Sequence, residues 1–581
     1  MAVEASSPKS QKEHFIRDST LICVVATAYY LSYFRYGLAQ IDEGVIIDSA
    51  ERLMKGDRYA VDLYLHYGLL RAWLLSKVFA VTGVNFTSER IFFIALRLPG
   101  LVLMYSVGRR FMPSGWSFAA TLAAVFVPGH LFKSTLLIII IGQIWLTFRW
   151  WETSSKIWTF LLGFWGPFTI WSRAESMFVI TPVAFFSILV GLWLKQSPRK
   201  EWRSHALIFL IAVPIGFFCL YPIFPGILIY ITWVLRFLVI VFTQEPYFYI
   251  PWPAPAYIFK GIDHAATFFC LWGAVIVYSC ALLTTVLKIK ESRDDDSWYH
   301  RFITATVGFS MFYNVFTQSN LAHMLQVAAP VYLLFAYFFH GSLKSVKSFS
   351  AKAAISVPFG VIAGLFFIYG LFLANLSDIG TITLRKTANT PINTGMGTVY
   401  FTDPPASSIQ EVVDYLVEHT DPDDPVMGYP GCIILQVLAR RPNATMMTYF
   451  LPNTEGFTGP AISAKVRKQT LDAHYMVYFE RPSHLELPRR PVMRIRNSPM
   501  GIYKVMEESF TIEHRVGGYL ILRRGADPTG ATKVFLEGWE AYKYKEDDLA
   551  REKLGKALDM GGPKEIIQPI LRHIEERTKK Q

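Results

Sequence analysis

The sequence has little of what disulfide-stabilised, metal-binding or phosphate-cradling domains depend on. It contains five cysteines in 581 residues. Four of them, Cys23, Cys219, Cys270 and Cys280, lie inside apolar runs as small hydrophobes, so no disulfide framework is indicated. No Cys/His cluster with metal-ligand spacing, Gly-rich phosphate loop or Gly-x-Ser-x-Gly turn occurs. Charged residues make up only 18% of the chain against 52% hydrophobic residues, so the composition predicts that lipid surrounds much of it.

The excess positive charge is confined to the apolar part of the chain. Before Thr387 there are 32 basic and 20 acidic residues, whereas from Thr387 onward there are 25 of each. Basic loops between apolar segments are typical of contact with anionic headgroups. Membrane lipids are therefore expected partners, and nucleic acid is not.

Thirteen apolar runs approach the length that crosses a bilayer of about 30 Å. They are Leu21–Phe34, Tyr67–Val81, Ile91–Val107, Trp116–Phe132, Thr135–Trp150, Ile157–Trp171, Met177–Leu194, Ala206–Tyr221, Ile227–Phe242, Ala265–Leu287, Phe302–Phe316, Leu325–Phe339 and Val357–Leu376. Several are short and two could be re-entrant, so 11 to 13 spans are predicted. The expected fold class is a mainly α polytopic membrane protein.

Four parts follow from the pattern. Residues 1–20 form a cytoplasmic N-terminus, and residues 21–380 carry the spans. Residues 387–530 are predicted to be a soluble α/β domain, with helices and strands in alternation. Its predicted elements are helices over Ser407–Thr420 and Ile433–Leu438 and strands over Pro425–Tyr429, Tyr475–Phe479 and Tyr519–Leu522. Residues 535–581 are predicted to be one helix pair of the tetratricopeptide type, acting as a docking appendage.

The basic loops do not all fit a simple topology. Lys195–Arg203 and Lys344–Lys352 are expected in the cytoplasm because basic loops favour that side. With a cytoplasmic N-terminus and thirteen alternating spans, however, Arg109–Arg110 and Arg199–Lys200 cannot both be cytoplasmic. The topology beyond the first loop is therefore left open.

The first loop, residues 37–66, concentrates acidic residues. Six of the twenty in the apolar part lie between Asp42 and Asp62. Carboxylates beside a membrane are costly unless solvated, paired or used, so the adjacent Asp42 and Glu43 indicate a functional site. Apolar residues at helical spacing from Val45 to Leu53 predict an interfacial helix after them. The alternative is that both carboxylates are solvated cap residues at a helix start.

This loop resembles the first outer loop of superfamily-C glycosyltransferases, which share the GT-C fold. It is most similar in pattern to protein mannosyltransferases, aminoarabinose transferases and bacterial lipopolysaccharide-core transferases. After the acidic pair, the matching residues are Leu53-x-x-Gly56, Tyr59-x-x-Asp62, His66-Tyr-Gly-Leu-Leu, Phe79-x-x-x-Gly83 and Arg97-Leu-Pro. Leu69 departs from the pattern, since proline is usual there.

The resemblance implies an inverting transfer of a sugar from a polyprenyl-phosphate donor to a glycan, lipid or protein acceptor. Asp42 would be the general base, and Glu43 would orient it or bind the acceptor. His66, Tyr67 and Arg97 would bind substrate, with Arg97 near the lipid phosphate. No metal ligands are assigned, and the one cofactor considered is a divalent cation, Mg²⁺ or Mn²⁺.

Four further residues are substrate-binding candidates by the same resemblance. Arg173 and Glu175 match a turn before a span, although they could simply bridge each other at a helix start. Asn320 and His323 share a helix face towards the donor cavity, although a buried histidine bonded to a carbonyl explains His323 equally well. Arg97 has an alternative too, a pair with a carboxylate on another span.

The resemblance places the first loop and the tail outside the cytoplasm, in a multi-pass protein of the cell's inner membrane. Two other functions are compatible with many spans. A transporter or flippase of lipid-linked sugars predicts internal repeats and paired broken helices, which the sequence does not show. An inert membrane scaffold with a recruiting tail would leave the intramembrane arginines and histidine without a purpose.

Overall fold

The computed structural model describes residues 8–65, 68–126, 131–133, 135–171, 176–219, 231–232, 235, 252–260, 262–288, 296–312, 327–345, 384–448, 450, 460–479, 500–525, 527–543 and 545–579. The chain divides into two compact units. The helical unit is Met1–Gly37 with Tyr67–Asn389, and the mixed unit is Leu38–His66 with Thr390–Gln581. The predicted fold class is confirmed, because helices dominate and a small sheet lies in the C-terminal part.

The helices in chain order are α1 (Pro8–Tyr33), α2 (Asp42–Met54), α3 (Leu69–Thr82), α4 (Phe86–Gly108), α5 (Ser114–Val125), α6 (Thr135–Thr153), α7 (Lys156–Phe168), α8 (Ser176–Leu194), α9 (Arg199–Phe218), α10 (Ile262–Lys288), α11 (Ser297–Met311), α12 (Ala329–Ser345), α13 (Leu384–Thr387), α14 (Pro405–His419), α15 (Ile433–Leu438), α16 (Pro460–Thr470), α17 (Ile502–Ser509), α18 (Ala531–Lys543), α19 (Asp547–Asp559) and α20 (Lys564–Lys579). The mixed unit contains α2 and α14 to α20; the others belong to the helical unit.

Within the described part of the chain, five segments are long and apolar enough to cross a membrane. They are Phe86–Gly108, Leu131–Thr153, Ser176–Leu194, Arg199–Phe218 and Thr267–Thr285. Each overlaps an apolar run that the sequence predicted as a span. The runs Ile227–Phe242 and Val357–Leu376 lie largely outside the described residues, so the total number of spans stays a prediction.

Helices α1 and α4 are antiparallel. Near the end of α4, the Tyr105 hydroxyl donates to Oδ2 of Asp18 at 2.6 Å. Near the start of α4, Nη2 of Arg90 donates to the carbonyl oxygen of Gly37 at 2.8 Å. The end of α1 and the start of α4 therefore lie at the same end of the helical unit.

The predicted span Tyr67–Val81 corresponds to a short helix. Within this run the structure describes α3, whose 14 residues extend about 21 Å, less than the bilayer core. Helix α3 is not among the five long apolar segments of the described residues. The sequence analysis allowed for short and re-entrant runs, so whether this run crosses the membrane stays a prediction.

Basic residues collect at the opposite end of the helical unit. Nε of Arg110, after α4, lies 2.7 Å from Oε1 of Glu152 near the end of α6. Nζ of Lys195, just past α8, donates to Oγ of Ser154 at 2.8 Å and to the carbonyl oxygen of Trp151. We call this the basic end, defined by Arg109, Arg110, Arg149, Lys195, Arg199 and Lys200. The Arg109 guanidinium lies over the ring of Phe15 in α1, 5.3 Å from its centre, so the basic end lies at the end of the helical unit where α1 begins.

The described residues of the mixed unit form six strands. They are β1 (Thr390–Thr394), β2 (Gly397–Phe401), β3 (Val426–Tyr429), β4 (Tyr475–Phe479), β5 (Phe510–Val516) and β6 (Tyr519–Arg524). Strands β1 and β2 form a hairpin, and the others form a sheet in the order β3-β4-β6-β5. Strands β3 and β4 are parallel, whereas β6 is antiparallel to both β4 and β5.

The apolar residues at helical spacing in the tail are buried in the structure. Helix α14 buries Ile409, Val412, Val413 and Leu416, the four residues whose spacing predicted it. The predicted helix pair at the C-terminus is wrong in number, because α18, α19 and α20 follow one another there. Helix α19 contacts both neighbours, so a third helix covers apolar surface that a pair would leave open.

The first loop is part of the mixed unit. The backbone N–H of Tyr64 donates to the carbonyl oxygen of Met446 at 2.6 Å, and Nη1 of Arg52 donates to that of Thr445 at 2.8 Å. A membrane cannot pass through a folded unit, so the loop and the tail lie on the same side.

Candidate active site

Asp42 and Glu43 open helix α2 and differ in their surroundings. Both lie in the first turn, where the helix dipole stabilises negative charge. Glu43 is only 4% exposed, and its Oε2 accepts a hydrogen bond from the backbone N–H of Ala39 at 3.1 Å. Asp42 is half-buried. The N-cap residue is Ile41, so the alternative of two solvated cap residues is wrong for Glu43, which holds the backbone before the helix.

Gly44 sets the position of α2 in the mixed unit. A Cβ atom at this residue would lie 2.8 Å from the backbone nitrogen of Ile434 and 2.9 Å from its Cα. Such distances are too short for any side chain, and a backbone cannot rotate away as a flexible side chain could. The absence of a side chain at Gly44 therefore lets α2 pack directly on the main chain of α15.

A second contact lies on the other side of the acidic pair. The Tyr519 hydroxyl donates to Oε1 of Gln40 at 3.2 Å, and the Tyr519 ring stacks on Phe479 with centroids 4.9 Å apart. Gln40 and Gly44 thus bracket Asp42 along the chain, and each contacts the tail.

Both contacts fall at one edge of the sheet. Phe479 ends β4, and Ile434 lies in the helix that follows β3. The acidic pair is therefore held near the carboxyl ends of the two parallel strands. In open α/β sheets, ligand crevices lie outside these strand ends, so this edge is a suitable place for a binding site.

Asp48 is a buried carboxyl group that the sequence reading did not single out. It is 6% exposed, and Nδ2 of Asn443 lies 3.4 Å from its Oδ2. Burial raises the pKa of Asp48 from 3.8 to about 6, although the charge of Arg52 and the hydrogen bond from Asn443 act to lower it. Its position on α2 within an acidic loop was the available signal, but only the fold shows that it is desolvated.

The other loop carboxylates hold the loop in shape. Glu51 pairs with Arg440 of the tail at 3.0 Å. Asp57 pairs with Arg52 at 2.7 Å, and Asp62 with Arg58 at 3.0 Å. Glu51, Asp57 and Asp62 thus have structural roles, which leaves Asp42, Glu43 and Asp48 as the carboxyl groups of the loop that could take part in chemistry.

In the helical unit, Arg97 lies in α4 beside an aromatic ring. Its guanidinium carbon is 5.0 Å from the ring centre of Tyr30, a cation–π contact. Arg97 is half-buried, and its buried Nε has no hydrogen-bond partner within the described ranges. Among the residues the structure describes, no carboxylate pairs with Arg97, so the predicted alternative of an ion pair finds no support there.

Arg90 was missed as a site residue. Its Nη1 and Nη2 donate to the carbonyl oxygens of Phe34 and Gly37 at 2.5 and 2.8 Å. It therefore holds the chain where α1 ends and the first loop begins. The sequence signal was a Glu89-Arg90 pair in the first turns of an otherwise apolar helix.

The remaining predicted site residues cannot be placed. His66, Tyr67, Arg173, Glu175, Asn320 and His323 lie outside the described residues. Across the described ranges, no group of three or more His, Cys, Asp or Glu side chains could hold a metal ion. The residues described thus provide no fitting site for the divalent cation considered from the sequence.

Comparison with solved structures identifies the architecture. ArnT from Cupriavidus metallidurans bound to undecaprenyl phosphate matches with a TM-score of 0.50 at 11% identity, covering 89% of this chain and 98% of that one. The chain has the GT-C fold of membrane glycosyltransferases. The apo form of the same ArnT matches over the same shares at 11% identity with a TM-score of 0.47. The Archaeoglobus fulgidus oligosaccharyltransferase in complex with Zn and sulfate matches at 10% identity and 0.45, covering 88% of this chain and 73% of that one.

Sequence comparison adds no relative. No family model matches the chain, and no curated protein matches it. The GT-C likeness is therefore one of fold, and the predicted roles of individual residues depend on the geometry described above.

Proposed function

We propose that this GT-C protein transfers a sugar from a polyprenyl-phosphate donor to a glycan, lipid or protein acceptor, with inversion and with Asp42 as the general base. The observation that carries the proposal is the difference in burial between the two carboxylates at the start of α2. Glu43 is buried against the Ala39 N–H, which fixes the helix start, while the half-buried Asp42 presents the more accessible carboxylate.

The chemistry fits these groups. The acceptor hydroxyl oxygen attacks the anomeric carbon, the bond from that carbon to the phosphate oxygen breaks, and the phosphate leaves with the electron pair. Asp42 takes the hydroxyl proton as the new bond forms. A cation near the departing phosphate stabilises its charge, and Arg97 is assigned there. The other residues assigned to substrate binding are His66, Tyr67, Arg173, Glu175, Asn320 and His323.

The orientation follows from the basic end. Loops rich in Lys and Arg favour the cytoplasmic side, so the basic end faces the cytoplasm. The chain passes from the opposite end of α1 into the first loop, and we assign this loop and the tail to the outside of the cytoplasm, in a cell whose inner membrane holds the chain. Polyprenyl-phosphate sugars presented on that outer leaflet are the donor class, as the undecaprenyl phosphate bound to ArnT suggests for this fold.

The test is transfer by wild type and two single-atom variants. Purified protein is given undecaprenyl-phosphate sugars with labelled mannose, glucose or aminoarabinose, together with lipid and glycan acceptors from its native membrane. Asp42→Asn removes the proton-accepting charge and should reduce transfer by about 10²–10⁴-fold. Glu43→Gln keeps an oxygen for the Ala39 N–H, so a smaller loss is expected.

Two outcomes would overturn the proposal. Wild-type transfer rates in Asp42→Asn would remove the base assignment. Movement of labelled donor between leaflets of proteoliposomes, with no sugar leaving its lipid, would instead support a transporter.

A further inference from the structure

A cluster of buried polar groups lies where α1 packs on α4. Tyr30 and Tyr33 are 0% and 1% exposed, and neither hydroxyl has a hydrogen-bond partner in the part of the chain that the structure describes. Their rings are perpendicular, with centroids 6.3 Å apart. Arg97 lies over the Tyr30 ring and is also an electrostatic neighbour of Tyr33.

This arrangement is unfavourable as it stands. A buried hydroxyl without a partner costs free energy, and an arginine within an apolar helix costs more unless its donors are used. Three side chains with such donors lie together on two neighbouring helices. Arginine and tyrosine hydroxyls are donors that anions accept well, and anionic acceptors make the stronger hydrogen bonds.

The distance of the cluster from the end of the helical unit fits the position of a lipid headgroup. Tyr33 is the last residue of α1, and Tyr30 lies one turn before it. Arg97 follows Arg90 by seven residues, about 10 Å along α4, and Arg90 binds the carbonyl of Gly37 at the loop end. The cluster therefore lies about two turns inside the end from which the first loop emerges, a depth that a phosphate attached to lipid can reach.

We propose that Tyr30, Tyr33 and Arg97 form a binding site for the phosphate group of a lipid-linked substrate. The site extends the proposed function, because it adds two tyrosine hydroxyls to the donor-binding residues. Arg97 keeps its cation–π contact with Tyr30 and offers its guanidinium donors, while the hydroxyls donate to phosphate oxygens.

The test uses Tyr30→Phe and Tyr33→Phe, which remove one oxygen each and preserve the packing. Binding of undecaprenyl phosphate to purified full-length protein in detergent is measured by intrinsic tryptophan fluorescence. Each variant should weaken binding by roughly tenfold to a hundredfold. The same variants should raise the thermal unfolding midpoint without ligand, because a desolvated hydroxyl without a partner is removed.

Tyr278→Phe is the matched control. The Tyr278 hydroxyl in α10 is also buried without a partner, but no arginine contact accompanies it among the described residues. Its removal should raise the midpoint while leaving the affinity for undecaprenyl phosphate unchanged. A fall in midpoint for Tyr30→Phe or Tyr33→Phe, or unchanged binding in both, would overturn the site.

Two further measurements distinguish a lipid-linked phosphate from inorganic phosphate, and failure of this site from failure of the base assignment. If inorganic phosphate binding alone is weakened, the site does not hold a lipid-linked phosphate and the proposal fails. Asp42→Asn should bind undecaprenyl phosphate as wild type does. If Asp42→Asn still transfers sugar while the tyrosine variants lose binding, the base assignment fails and the phosphate site stands; the reverse pattern leaves the base and removes the site.

Discussion

Gly44→Ala tests whether the tail sets the position of the acidic pair. The added Cβ would lie 2.8 Å from a backbone nitrogen and 2.9 Å from a Cα of Ile434. Ordinary carbon contacts are about 3.5–4.0 Å, so α2 must move by roughly 0.5–1 Å. Overpacking of this kind costs about 1–3 kcal/mol.

Gly555→Ala in α19 is the matched control, because a Cβ there would meet nothing within 4 Å. Alanine in a helix is favoured over glycine by about 1 kcal/mol, so this variant should be neutral or more stable. For units of this size, about 1 kcal/mol shifts the unfolding midpoint by roughly 2–4 °C. The midpoint of Gly44→Ala should therefore fall several degrees below that of the control.

The effect on activity should exceed the effect on stability. Displacing a catalytic group by about 1 Å can cost roughly a hundredfold in rate, and Gly44 is two residues from Asp42. Sugar transfer and the thermal midpoint are measured on the same detergent-purified samples. Equal midpoints and equal transfer rates for Gly44→Ala and Gly555→Ala would refute the idea that this contact positions the acidic pair.

Two other properties can be checked independently. Burial raises the pKa of Asp48 from 3.8 to about 6. As the pH rises from about 4 to 6, the unfolded chain therefore loses this proton before the folded chain does. Above this range the ionised carboxyl group lowers the free energy of unfolding by about 3 kcal/mol. Asp48→Asn should be more stable than wild type at pH 8 and equal to it near pH 4, and a difference independent of pH would contradict this. In intact cells an impermeant maleimide should label Val417→Cys, whose native side chain is 51% exposed, but label Lys200→Cys only after permeabilisation; the opposite pattern would reverse the orientation.

Local periodicity predicted the elements well, because helices and strands bury one face at a fixed spacing. The amphipathic pattern of Ile409, Val412, Val413 and Leu416 gave α14, and the short β-rich runs gave β3, β4 and β6. The acidic pair and the interfacial helix after it were also visible, since charged residues beside an apolar run have a high cost in lipid.

Apolar length alone did not give the length of the helices. The run Tyr67–Val81 is apolar enough to resemble a span, yet α3 has only 14 residues, fewer than a crossing helix needs. The hydrogen bond from Arg90 to Gly37 joins residues that are 53 apart. Periodicity carries no information about such a pair.

Part of the candidate site depends on contacts between residues far apart in sequence, which the sequence alone did not predict. The contact of Gly44 with Ile434 and the hydrogen bond from Tyr519 to Gln40 join the first loop to a tail more than 380 residues away. Tyr30 and Tyr33 lie in an apolar run where aromatic residues are ordinary. Only their lack of partners beside Arg97 in the fold makes them candidates for binding.

The most direct measurement of the central claim is the mass and anomeric configuration of the product formed with undecaprenyl-phosphate sugar. Wild type should yield an acceptor heavier by one sugar residue, inverted at the anomeric carbon, together with free undecaprenyl phosphate. Asp42→Asn should bind the donor equally and yield almost none. A retained configuration, or equal product from both proteins, would contradict single displacement with Asp42 as the base.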